Sequence, residues 1–560
     1  MGKGRKRTAK KNLVKEKGRA GTAKEARPPA ARPRWLGPVL IAVLLLAAAV
    51  RVGLLDVPFE RDEGEYAYAG QLILQGVPPF AEAYNMKMPG IYAAYALLLA
   101  VFGQTHAGVR LGVILINAVT TVLLYLGFRR RFDNPTSLLA ACGFALVSLN
   151  PSVHGFIANA EHFVLIFIAG ALYVLFLGLD ARRTWLHLVS GLLLGMAFLM
   201  KQHAMFFIMF AGLYLLWSTL KQPRAWSYNV RSYVLFSAGV FLPFLGACLF
   251  FQQAGLFDRF WFWTFSYARE YVSQSSLSEA WVPIKNNGAK MLRDFSLVWV
   301  WAVIGLISPW WDQEARERKA MIYGLAFFSL VSTCPGLYFR PHYFLLLLPA
   351  LGLLAALGMT ALGRKLPAAW SGQARGLILT VMALSAGLWQ FWMQGALFFQ
   401  KTPAQIVQQL YWANPFTESL EIARYIRQHS SETDKVAVLG SEPQIYFYAR
   451  RRAATGYIYT YPLMEDQKFA ARMQEEMIAQ IEAARPKFIV VVNVPWSWAV
   501  KRTSEPKILM WGERYLIEHY EAVGRVDIYP PSESKYVWGQ EARYYRHISR
   551  IWVDLYERKT

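Results

Sequence analysis

Apolar runs of about 18 or more residues recur through the first 400 positions of this chain, each long enough to cross a bilayer core. In hydrocarbon, backbone N–H and C=O groups must find partners within their own segment, so these runs are confined to helices. An apolar share of 55% fits that requirement and not an ordinary soluble domain. The expected class is a polytopic α-helical membrane protein.

The net charge of +23 raises the question of nucleic acid, but its placement argues for a membrane surface instead. Residues 1–34 carry thirteen Lys/Arg against Glu16 and Glu25, about half of the total excess. This Ala/Lys/Arg/Pro-rich stretch has almost no large apolar residues, which predicts a disordered basic cytoplasmic tail beside anionic lipid, with no nucleic-acid partner. The run that follows, Leu36 to Leu55, is helix-length and reads as a retained first span, not a cleaved leader. Cys142, Cys248 and Cys334 sit in or beside apolar runs without metal-ligand spacing and read as small core residues.

Lys/Arg enrichment of short cytoplasmic loops sorts the remaining segments. With the tail inside, the clusters Arg129–Arg131, Arg182-Arg183, Lys221 with Arg224, Arg316–Lys319 and Arg364-Lys365 all fall inside when the spans alternate. The 14-residue run Pro89 to Phe102 is one segment too many and too short to span, so it reads as an interfacial or re-entrant helix. The result is about eleven spans over residues 35–400, a first outer loop over 56–108, and a long outer loop over 252–290.

Beyond Asn414 the pattern changes. "KVAVLG" and "KFIVVVN" read as buried strands, separated by a long charged helical pattern from Glu465 to Ala484. Alternation of this kind predicts a parallel α/β domain over residues 414–560, extracytoplasmic by the same charge sorting. "VLGSEP" carries no Gly-rich phosphate loop, so no nucleotide is expected.

The alternation brings five polar segments to one side of the membrane. "FERDEGEYAY" follows the first span and holds Asp62 and Glu63; "YNMKMPG" holds Asn85 and Lys87; "ANAEHF" holds Asn159 and Glu161. "LMKQH" holds Lys201, and "LYFRPHYF" holds Arg340, His342 and Tyr343. Ionisable groups at the ends of apolar segments are costly unless paired, so their convergence points to a site. Taken singly, Lys201 reads equally well as a snorkelling lysine and His342 as an interfacial histidine. Glu60 and Glu65 read as solvated. A cationic set (Lys87, Lys201, Arg340, His342, with Tyr343) suits a phosphate at the lipid boundary, and a carboxylate set (Asp62, Glu63, Glu161) suits a general base or a metal. The nine histidines show no zinc-like spacing, so a divalent cation, if required, would rest on Glu63 and Glu161.

In this order the segments "RDEGEYAY", "NMKMPGIYAAYAL", "NAEHF", "LGMAFLMKQ" and "RPHYFLLLLPAL" resemble the GT-C glycosyltransferases of the protein O-mannosyltransferase and aminoarabinose transferase type (glycosyltransferase families 39 and 83). The resemblance implies a GT-C membrane domain and an inverting enzyme of the bacterial cytoplasmic (inner) membrane. It implies a polyprenyl-phosphate-linked sugar as donor, and an acceptor that is a protein hydroxyl, lipid A or another glycan. Asp62, leading the matched acidic motif, is expected to activate the acceptor, and Glu63 to orient the loop or share a metal with Glu161. Two positions differ: Glu65 stands where aminoarabinose transferases have an arginine, and Glu161 where an aspartate is common. A flippase or transporter of a lipid-linked sugar is the alternative class, but no internal repeat is present and the charges lie at one face instead of mid-span. A membrane scaffold presenting the C-terminal domain would leave the acidic pair and the cations without a purpose.

Overall fold

The computed structural model describes residues 36–221, 225–367 and 369–559. The chain divides into two compact units, residues 1–41 and 42–560. Of the first, only the opening turn of the helix Leu36–Val52 is described, and the basic tail over 1–34 and Arg224 lie outside the described residues.

The apolar runs form helices, with Leu36–Val52 inside the first run and Pro89–Phe102 matching the short one. Six described helices are long and apolar enough to cross a membrane. They are His106–Phe128, Ala160–Ala181, Gln202–Lys221, Trp226–Gln253, Pro341–Arg364 and Gly372–Phe399, and a bent pair, Leu277–Asp294 with Ser296–Trp310, makes a seventh if counted once. Leu36–Val52, Asn134–Val147, Trp185–Met200 and Lys319–Val331 are shorter apolar helices, as is Pro89–Phe102, which forms over the residues assigned to the segment too short to span. Residues 252–290, expected as a loop, are instead a chain of short α- and π-helical turns. Their aromatic residues explain the difference: Phe260, Trp263 and Tyr267 are buried, so these turns pack as amphipathic pieces where no continuous apolar run exists.

Where lipid gives no hydrophobic drive between helices, small residues permit close backbone approach. Trp185–Met200 meets Trp226–Gln253 in this way. A Cβ added at Gly191 would lie 2.2 Å from the Phe236 carbonyl oxygen, and one at Gly239 would lie 2.2 Å from that of Leu188. Three of the basic loops predicted on one side also meet. Arg318 bonds the carbonyl of Arg131, and Arg364 pairs with Asp312 at 2.8 Å and Asp133 at 3.2 Å.

The C-terminal residues form a five-stranded sheet in the order β1-β2-β5-β3-β4: β1 Val436–Leu439, β2 Phe488–Asn493, β3 Tyr520–Asp527, β4 Lys535–Trp538 and β5 Trp552–Arg558. Only β1 and β2 are parallel; the other pairings are antiparallel. The all-parallel expectation is corrected here. It came from two strands with continuous apolar character, whereas β3, β4 and β5 are broken by Glu521, Arg525, Lys535 and Asp554 and carry little strand signal. This domain is seated on segment 56–108. Gly64 abuts the helix Gln444–Ala449 so tightly that an added Cβ would fall 2.6 Å from Gln444 Cβ. Tyr448 accepts from the Phe59 N–H, Tyr68 from the Ala453 N–H, and the Gly456 carbonyl from the Tyr84 N–H, each at 2.8 Å.

Candidate active site

The acidic stretch is a helix start. Arg61–Leu74 is capped by Glu60 in a reciprocal box: its carboxylate accepts from the Glu63 N–H, while the Glu63 carboxylate accepts from the Glu60 N–H. Asp62 and Glu63 thus fall in the first turn, where the helix dipole favours negative charge. Successive residues of a helix point in different directions, and here Glu60 and Asp62 line one cavity while Glu63 and Glu65 turn into the core.

Asp62 faces a cavity of about 1230 Å³. Lys87 Nζ stands 3.2 Å from its Oδ2, and the Tyr459 hydroxyl donates to its Oδ1 across 3.1 Å. Glu63 turns the other way into full burial. It takes Arg110 Nη2 at 2.9 Å and the Ala158 N–H at 2.7 Å, which ties the helix start to two other parts of the chain. Glu65 is also fully buried, accepting from Tyr92 at 2.5 Å and from Asn85 at 2.7 Å. Glu60 is 8% exposed. The expectation that Glu60 and Glu65 are solvated is therefore overturned: one is a helix cap, and the other anchors the segment that carries Lys87.

The cations separate likewise. Lys87 and Arg340 line the cavity, together with His342 and Tyr343. Arg340 bonds the Tyr271 hydroxyl at 3.1 Å. Lys201 and Glu161 are absent from the cavity wall. Lys201 Nζ donates to Glu161 at 2.5 Å and lies 4.3 Å over the ring of Tyr343, so this pair supports the wall from behind. Both residues terminate apolar helices, and burial without mutual pairing would be costly for either.

Glu63 and Glu161 do not fit a shared metal. Glu63 is saturated by a guanidinium and two backbone N–H groups, and Glu161 is held by an ammonium at Oε1, with its buried Oε2 unpartnered. Among the described residues no group of three or more His, Cys, Asp or Glu is placed to hold an ion.

Electrostatics separates the carboxylates further. Burial would raise the Asp62 carboxyl, yet Lys87, Arg340 and Lys201 together outweigh it and hold the group down at about 2. Burial pushes Glu65 up to about 7 against the pull of Lys87, and pushes Glu63 up in spite of Arg110. Asp62 is thus an ionised carboxylate among cations in a water-accessible cavity. It is able to accept a hydrogen bond from an incoming hydroxyl or amine, beside positive charge suited to a phosphate.

Several wall residues carried no signal in the sequence reading: Tyr271, Tyr338, Tyr459, Tyr461, Glu465 and Lys501. Arg61 was visible as the first residue of "RDEGEYAY", but its partners were not. It bonds the Ser441 carbonyl, Glu442 at 2.7 Å and Asn414 at 3.0 Å, all in the C-terminal part of the chain. "VLGSEP" therefore has a place: the turn after β1 grips the residue before Asp62.

The dolichyl-phosphate-mannose-protein mannosyltransferase family model matches residues 86–245. The chain is 27% identical over 322 residues to undecaprenyl phosphate-alpha-4-amino-4-deoxy-L-arabinose arabinosyl transferase 2 of Pseudomonas fluorescens (strain Pf0-1). That match spans 55% of each chain, so it covers about half the length of the curated relative. Among solved structures, ArnT from Cupriavidus metallidurans bound to undecaprenyl phosphate aligns with a TM-score of 0.55 at 15% identity, covering 81% of this chain and 93% of that one. The archaeal oligosaccharyltransferase AglB from Archaeoglobus fulgidus, in complex with an inhibitory peptide and a dolichol-phosphate, aligns at 0.51 and 13% identity, covering 91% and 75%. The chain shares its fold with these two proteins, and the resemblance to the protein O-mannosyltransferase and aminoarabinose transferase type is borne out.

Proposed function

We propose that this GT-C-fold chain is an inverting membrane glycosyltransferase that moves a sugar from a polyprenyl-phosphate carrier to an acceptor hydroxyl or amine. The observation that carries the reading is the Asp62 carboxylate, kept ionised beside Lys87 in a cavity that also holds Arg340. Acceptor oxygen or nitrogen bonds to the sugar's anomeric carbon as the bond from that carbon to the phosphate oxygen breaks on the opposite face. The leaving group is the polyprenyl phosphate, whose charge Lys87 and Arg340 stabilise. Asp62 is too weak a base to strip a free hydroxyl. It holds the acceptor hydrogen and takes the proton as bonding to carbon makes that hydrogen acidic. Glu63 acts through position, fixing the helix start through Arg110 and Ala158. Glu161 and Lys201 support Tyr343. His342 and Tyr343 complete the wall facing the carrier.

The reading extends to the membrane. Counting the bent pair once, and the shorter apolar helices other than Pro89–Phe102, gives eleven crossings. The mutual contacts of the Arg131, Arg318 and Arg364 loops support a single cytoplasmic side for them, in a bacterial cytoplasmic membrane with the C-terminal domain outside. The acceptor class is a protein or a glycolipid. The arabinosyl and mannosyl names of the similar proteins make undecaprenyl-phosphate-linked aminoarabinose and polyprenyl-phosphate mannose the first donors to test. In a transfer assay with such a panel, the parent protein should turn over at least one donor. Asp62→Asn should lower that turnover roughly 10²–10⁴-fold with undecaprenyl phosphate binding retained. Near-parental turnover in Asp62→Asn would remove the assignment.

A further inference from the structure

We infer that Tyr459, a residue of the C-terminal α/β domain, is a positioning residue for Asp62, so that the reactive carboxylate is held jointly by the membrane part and the α/β domain. The inference rests on the role of Asp62 proposed above. Its geometry is independent of that role.

The two Asp62 oxygens have different partners. Oδ2 faces Lys87 from segment 56–108, and Oδ1 accepts the Tyr459 hydroxyl at 3.1 Å. Tyr459 is 5% exposed and lines the cavity, so its phenol reaches Asp62 from the C-terminal domain. The residues around it are fixed by a small buried network. The Thr460 N–H donates to Ser441 Oγ at 2.9 Å, and the Thr460 hydroxyl donates to the Ser497 carbonyl at 3.1 Å. Ser497 Oγ in turn donates to Glu442 at 2.6 Å, and Glu442 is the partner of Arg61 at 2.7 Å. One network therefore grips both the residue preceding Asp62 and the residue whose hydroxyl touches it. The Arg61 guanidinium also lies 5.4 Å from the Tyr461 ring, which closes the bracket on the far side of Tyr459.

A carboxylate held at both oxygens has little freedom to rotate. A hydroxyl donor on Oδ1 directs the remaining lone pairs toward the cavity, where an acceptor hydrogen arrives. No bond to Tyr459 forms or breaks in this role. Its contribution is orientation, and it vanishes if Asp62 cannot act.

The test compares Tyr459→Phe, Asp62→Asn and the double variant in the full chain. It uses whichever of undecaprenyl-phosphate aminoarabinose and polyprenyl-phosphate mannose the parent accepts, with undecaprenyl phosphate affinity measured alongside. Tyr459→Phe should lower kcat roughly 10- to 100-fold, the scale of one hydrogen bond to a charged group, with KM for the donor and carrier affinity unchanged. In the Asp62→Asn background the same change should cost nothing further. A parental kcat in Tyr459→Phe overturns the proposal. So does an equal loss in both backgrounds, which would mean Tyr459 acts elsewhere, and so does a loss of carrier binding, which would mean general damage. A parental rate in Asp62→Asn is a different failure: it removes the role of Asp62 first, and the positioning of it as a consequence.

Discussion

Lys201 and Glu161 form an ion pair, Nζ to Oε1 at 2.5 Å, with Nζ over the ring of Tyr343 and both residues outside the cavity that holds Asp62. Lys201 is the C-cap of one apolar helix, and Glu161 lies in the first turn of another. A pair of this kind behaves differently from the cations that face the cavity, and the difference is measurable.

Removing one member leaves an uncompensated buried charge, which costs about 3–5 kcal/mol, whereas removing both is far milder. Lys201→Met should therefore lower the thermal midpoint in detergent much more than the double variant Lys201→Met/Glu161→Gln. Lys87→Ala should weaken undecaprenyl phosphate binding roughly 10- to 100-fold, the scale of a charge-assisted hydrogen bond. The double variant should bind the carrier close to normally. Equal loss of carrier affinity in both would return Lys201 to the phosphate site.

Glu65 gives a pH signature. Its carboxyl is raised from 4.5 to about 7, so the fold favours the neutral form. The corresponding stability is fully present below 4.5 and is lost as pH rises through about 7. Glu65→Gln keeps the shape without the titration. The difference in melting midpoint between parent and Glu65→Gln should therefore move in favour of the variant from pH 4.5 to 8. A constant difference across that range would contradict the burial of an ionisable group here.

Asp62 has the opposite sign. Its carboxyl is depressed to about 2, so its contribution is present above the usual carboxylate range and is lost only as pH falls toward 2. Turnover should accordingly show no acid limb from Asp62 down to about pH 4. In Lys87→Ala that limb should move upward, because the nearest cation is gone. An acid limb at the same pH in both proteins would point to another group.

Gly64 is where the α/β domain touches the helix of Asp62. With 2.6 Å between an added Cβ and Gln444 Cβ, and the Gln444 backbone nitrogen at 2.7 Å, there is no flexible side-chain end to yield. Gly64→Ala should loosen the seat of the domain, lower turnover, and increase proteolysis between residues 400 and 418. Unchanged turnover and unchanged proteolysis would mean the contact is dispensable.

Sidedness is tested by labelling. In a background lacking Cys142, Cys248 and Cys334, Glu482→Cys should react with an impermeant maleimide on intact cells, and Arg130→Cys only after permeabilisation. The reverse pattern would invert the topology and remove the argument that five polar segments share the outer face.

The length of the apolar runs settled most of the membrane helices, though not the helical turns over residues 252–290. A run of apolar residues long enough for a bilayer has one backbone solution, so bounds such as Pro89 to Phe102 could be read directly. The signs of the loops gave an expectation of which of them share a side, because charge that stays out of lipid is a property of composition, and the loops of Arg131, Arg318 and Arg364 do meet in the structure. Apolar length and charge sign do not separate Glu60, Asp62, Glu63 and Glu65. The motif resemblance pointed to Asp62, and packing shows what each of the four touches. Arg110 draws Glu63 into the core, Tyr92 and Asn85 bury Glu65, a backbone N–H makes Glu60 a cap, and Lys87 with Tyr459 leaves Asp62 in the cavity. The contact from Tyr459 spans 397 positions of the chain. A hydrogen bond between residues so far apart depends on where two domains meet, and that is set by the close fit of Gly64 on Gln444, which no local pattern encodes.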